Sequence, residues 1–173
     1  DIDNLLLCCT GDTLDSPKRK AFPKNKTELL AHPKGNAMFN IAREALKNVG
    51  KWDSSFKKLF ENNPNKFCRG YGIFQYDLQF FKSNPNYFLN KEWANFDKCL
   101  RIAIDELKSA QRRIPTLQNK AALTEKEKIF VTIAYNKGTV NVNGSFKQGY
   151  KDTLSGKYYG ELIYDYYRLS KLL

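Results

Sequence analysis

At 173 residues the chain is long enough for one domain with a sizeable buried core and too short for two comfortable ones. Hydrophobic residues at 42% and aromatics at 14% exclude a mostly disordered chain. A formal charge of +11 draws in polyanions; nucleic acid, acidic lipid and the anionic bacterial wall all qualify, and charge alone does not choose among them.

No run approaches the roughly 18 apolar residues of a membrane span, and no signal peptide is recognisable. The chain begins at Asp1 and enters an apolar segment almost at once, which suggests a fragment cut from a longer protein. Residues Ile2 to Asp12 read as a short helix ending at Gly11 and the turn-like Asp15-Ser16-Pro17. From Lys18 to Lys34 the chain is basic and interrupted by Pro23 and Pro33, which is loop chemistry. Helices are expected over about Asn36 to Val49, stopped by Gly50, and Trp52 to Phe60, with a loop from Asn62 to Gly72. The clearest helix runs from about Lys91 to Arg113 behind Asn90, with Trp93, Phe96, Leu100, Ile104, Leu107 and Ala110 at the spacing of a buried stripe. Thr124 and Glu127 form a capping box before an almost wholly apolar helix. A polar, glycine-rich stretch from Lys137 to Thr153 leads to a last helix over about Gly156 to Leu172. No period-2 run stands out, so the expected class is all-α.

Four cysteines, Cys8, Cys9, Cys68 and Cys99, form no CxxC pair, and His32 is the lone histidine. No metal site or cofactor is expected. Cys8 and Cys9, inside the apolar run, read as small buried hydrophobes.

Three short constellations carry chemistry. At 100° per residue Asp12 falls within about 20° of Leu5, so it either ends the helix facing solvent or closes an apolar face with a carboxyl. A carboxyl in an apolar cleft has a raised pKa and can serve as a general acid. In Gly70-Tyr71-Gly72-Ile73-Phe74-Gln75-Tyr76-Asp77, two glycines permit a tight turn, Gln75 offers an amide and the aromatics offer stacking faces. In Ala134-Tyr135-Asn136-Lys137-Gly138 a core helix ends in polar groups, with Gly138 as a left-handed cap.

In order and combination these segments resemble the goose-type lysozyme and soluble lytic transglycosylase superfamily. The family's Glu-Ser is matched by Asp12-Thr13, its Gly-Leu-Met-Gln by Gly72-Ile73-Phe74-Gln75, its Ala-Tyr-Asn-Ala-Gly by Ala134 to Gly138, and its closing tyrosine segment by Tyr158-Tyr159-Gly160. The resemblance implies one lysozyme-like helical domain over residues 1–173 with a glycan groove, in which 16–69 is an insertion. It implies cleavage of β-1,4 bonds in peptidoglycan or a chitin-like glycan, as a muramidase or lytic transglycosylase. Asp12 would be the general acid and Asp77 the second carboxylate. Tyr71, Gln75, Tyr135 and Asn136 would bind sugar, and Tyr159 would hold the acid. Glu44 is the alternative acid, although helix geometry sets it roughly 120° from Met38, on the polar side. The implied location is the bacterial envelope or outside the cell.

Aspartate where the family has glutamate retracts the carboxyl by about 1 Å, a misplacement able to cost about a hundredfold in rate. A wall-binding module without catalysis is therefore the main rival. A nucleic-acid-binding domain rests on charge and aromatics alone, with no recognisable motif behind it.

Overall fold

A computed structural model describes residues 2–173, apart from the side chains of Asp3 and Asn4. The chain divides into two compact units, Asp1–Ala103 and Ile104–Leu173.

In the first unit, α1 (Ile2–Leu7) ends five residues before Asp12. Its last turn tightens, with the Cys8 and Cys9 amides donating to Leu5 and Leu6 three residues back. The chain then extends into β1 (Thr10–Gly11), which pairs antiparallel with β2 (Gly70–Tyr71), and β2 pairs with β3 (Tyr76–Asp77). This small three-stranded sheet corrects the all-α expectation: the fold is about half helical and mixed. Each strand is two residues long, too short to display alternation, and the uniformly apolar run Leu5–Cys9 holds no signal for where helix gives way to strand.

Residues 16–69, expected as an insertion, supply α2 (Lys26–Leu30), α3 (Gly35–Val49) and α4 (Ser54–Asn62). They also supply Leu29, Met38, Phe39, Ala42, Leu46 and Phe67 to the first unit's core. The buried positions of α3, Met38, Phe39, Ala42, Ala45 and Leu46, follow helical spacing. Asp53 caps α4 through the Ser55 amide at 2.8 Å, and Arg43 closes its far end by donating to the Phe60, Asn63 and Lys66 carbonyls. After β3 come a 3-10 turn (Leu78–Lys82), α5 (Pro85–Leu89) and a second 3-10 turn (Glu92–Ala94). Tyr71, Tyr76, Tyr87, Phe88 and Trp93 pack as an aromatic cluster, with ring centroids 4.8 to 5.6 Å apart for several pairs. The Trp93 indole donates to the Leu7 carbonyl at 3.3 Å, which anchors the end of α1.

The helix expected from Lys91 begins instead at Phe96, as α6 (Phe96–Arg112). Lys91 is left-handed (φ 52°), which breaks the run, and Asn95 rather than Asn90 caps it, accepting from the Lys98 amide at 3.0 Å. From Ile104 onward α6 belongs to the second unit, which adds α7 (Glu125–Lys137) and α8 (Tyr159–Leu169). The capping box of Thr124 and Glu127 is formed, and Gly138 (φ 84°) ends α7 by donating to the Ala134 carbonyl. Ile129, Phe130, Val131, Ile133 and Ala134 are all buried, so α7 is this unit's central helix.

Candidate functional site

The hairpin of β2 and β3 is built around its glycines. Gly72 has φ 79°, and the Gln75 amide N–H and side-chain Nε2 both donate to the Gly72 carbonyl at 2.9 Å. The side-chain oxygen of Gln75 folds back over the sheet. A Cβ at Gly11 would lie 2.8 Å from it, and one at Gly70 closer still. Gly11 and Gly70 are register partners, so together they form a bare strip on which the Gln75 amide lies. The tip presents Ile73 and Phe74 to solvent at 50% and 37% exposure, and the Phe74 ring sits 6.3 Å from that of Phe96.

Beneath the hairpin, Arg19 is buried and places its five N–H donors on five acceptors. Nε and Nη2 reach the Pro23 and Phe22 carbonyls. Nη1 bonds Asp12 at 3.0 Å and Asp77 at 3.1 Å, and Nη2 bonds Asp77 again at 2.7 Å. The remaining capacity is also used: Asp12 accepts from the Leu14 amide at 2.9 Å and Asp77 from the Gln79 amide at 2.7 Å. Asp12 is itself left-handed (φ 48°). Both oxygens of each carboxyl accept hydrogen bonds, so Arg19 links the segments that carry Asp12 and Asp77.

Sequence reasoning missed Arg19. The available signal was that it is the lone arginine of the basic stretch Lys18–Lys34, and arginine is the residue suited to bidentate carboxylate pairing.

A second buried guanidinium, Arg69, pairs with Asp15, which also bonds Lys66 at 2.8 Å. Burial works to raise the Asp15 pKa, but the bonds from Lys66 and Arg69 outweigh it and hold the carboxyl below its usual range. A depressed folded pKa stabilises above the unfolded value of about 4 and is lost as pH falls through the folded one. Asp15→Asn is expected to cost about 2 kcal/mol near pH 6. Its urea midpoint should converge on the parent's as pH falls below about 4, where the parent carboxyl also takes up its proton.

The other expected site residues sit as follows. Tyr71 is wholly buried, with its hydroxyl on the Cys68 carbonyl at 2.8 Å, so it supports the hairpin from inside instead of lining a groove. Glu44 is exposed and accepts from Lys91 at 2.7 Å, on the outer face of α3. Tyr135, Asn136 and Tyr159 belong to the second unit. Tyr135 is half-buried against the cluster of Ala110, Ile114 and Leu117. Asn136 accepts from the Tyr150 amide at 3.1 Å, and the Tyr159 amide donates to the Tyr150 carbonyl at 2.7 Å, so both meet at the same loop. Between them Gly149 (φ 89°) has no room for a side chain, with Tyr159 Cβ 2.9 Å from where its Cβ would be. Burial raises the Tyr159 phenol. Burial also raises the carboxyl of Glu106, on the second-unit part of α6, a residue the motifs did not single out.

Cys8 and Cys9 are half-buried free thiols, more exposed than expected, whereas Cys68 and Cys99 are buried. Among the described residues no cluster of three histidine, cysteine or acidic side chains is arranged to hold a metal ion, and no helix is long and apolar enough to cross a membrane. No protein family, curated protein or solved structure matches the chain, so the resemblance stands on its motifs alone.

Proposed function

We propose that this chain is a cell-wall glycan-binding module whose candidate carboxylates fasten the binding region instead of performing chemistry. The observation that carries this is the engagement of Asp12 and Asp77 on the single guanidinium of Arg19. The motif order supports a β-1,4 glycan as the partner, with peptidoglycan preferred over chitin because the +11 charge suits an anionic wall. The exposed Phe74 at the hairpin turn supplies an apolar face against which a sugar ring can lie. The reading carries with it a location at the bacterial envelope or outside the cell.

Purified protein mixed with insoluble peptidoglycan is expected to sediment with it while releasing neither reducing sugar nor anhydro-ended fragments. Part of the binding should disappear as salt screens exposed charges, leaving a salt-resistant remainder from the glycan contacts. Phe74→Ala should lower that remainder by up to about tenfold. Soluble fragments that vanish with Asp12→Asn would establish Asp12 as a catalytic acid and overturn the proposal. Fragments unaffected by Asp12→Asn would also overturn it, and would turn attention to Glu44 and Glu106.

A further inference from the structure

The second unit has an open groove of about 330 Å³ lined by Ile104, Leu107, Leu123, Ile129, Ile163 and Tyr167, contributed by α6, the segment before α7, α7 and α8. Two of the neutral polar side chains on its walls, Gln111 and Thr132, already have partners. Gln111 donates both of its amide hydrogens, to the Leu117 and Lys120 carbonyls at 2.9 Å, and the Thr132 hydroxyl donates to the Ile129 carbonyl at 2.8 Å. Such walls ask nothing of a ligand along its length except apolar surface. Charge enters through Lys108 and Lys128, which also line the groove and are exposed; no lining residue is acidic. Of the carboxylates on the flanking helices, Glu125 pairs with Lys171 and Glu127 with Lys120, while Asp105 and Glu106 neighbour Lys108 on α6 without lining the groove. Neither Lys108 nor Lys128 forms an ion pair among the described residues, and the Lys128 ammonium lies 5.7 Å from the Tyr167 ring centroid.

We propose that this groove binds a medium-chain fatty acid, the alkyl chain lying on the isoleucine and leucine surface and the carboxylate between Lys108 and Lys128. The volume lies at the lower end of small-ligand sites, which suits a single alkyl chain and falls short of an amphipathic helix with its several side-chain anchors spread over successive turns. Two lysines and no acid among the lining residues favour an anionic head over a neutral or cationic one.

Calorimetric titration of the whole chain with straight-chain carboxylates tests this without altering the protein. Decanoate is expected to saturate one site. Affinity should rise about twofold to fourfold with each methylene from hexanoate to decanoate and then level off, because further carbons find no wall. Decanol should bind about tenfold more weakly. Ile163→Trp should remove saturable binding by filling the groove. Lys108→Glu with Lys128→Glu should weaken it about tenfold with an unchanged circular dichroism melt. Decanoate that never saturates below its micellar concentration overturns the proposal. So does decanol binding as well as decanoate. Capture of the protein by phosphatidylglycerol vesicles without binding of monomeric decanoate would overturn it in favour of a membrane surface.

Discussion

Replacing Arg19 with methionine is expected to lower stability by about 3 kcal/mol. The substitution leaves Asp12 and Asp77 facing each other without their shared cation and strips two carbonyls of their donors. Loss of one partner from a buried pair costs about 3–5 kcal/mol. The lower end applies because the Asp12 carboxyl is 40% exposed and water screens part of the repulsion. Thermal denaturation should show a fall of about 6–12 °C in Tm for a chain of this size. Arg19→Lys should recover only a small part, since an ammonium cannot reproduce the flat fork that spans Asp77 on two nitrogens. A loss below about 1 kcal/mol would mean that the loops hold together without the bracket.

Gly72→Ala is expected to cost about as much by a different route. The left-handed backbone there (φ 79°) charges any side chain about 1 kcal/mol or more. The new methyl would also lie 2.7 Å from the Cys99 sulfur, 3.0 Å from the Tyr87 hydroxyl and 3.1 Å from Trp93 Cβ, all buried and close-packed. Overpacking of that kind typically adds about 1–3 kcal/mol. Because Gly72 also accepts both Gln75 hydrogen bonds, the variant should lose wall retention together with stability. A urea titration beside the sedimentation assay reads both. Unchanged retention in a destabilised variant would separate the turn from the proposed binding.

The elements legible from sequence were those whose signals are local. Thr124, Glu127 and Gly138 mark both ends of α7 within a few residues of chain, and the stripe of Met38, Ala42 and Ala45 marks α3. The sheet was not legible, because its pairing joins Gly11 to Gly70 across the length of three helices. The same holds for the site. Asp12 and Asp77 were singled out from motifs, but their shared partner Arg19 lies seven residues from one and fifty-eight from the other. Helical periodicity set Glu44 on the outer face of α3, where it lies, since that question needed only its own helix.

The Gln75 amide occupies the volume that two side chains would otherwise fill, on strands whose register leaves that volume empty. The packing of that amide ties the turn to the sheet. A glycan arriving at Phe74 would meet a surface whose shape is set before contact, and association there would carry little of the entropy cost that a mobile loop incurs on closing.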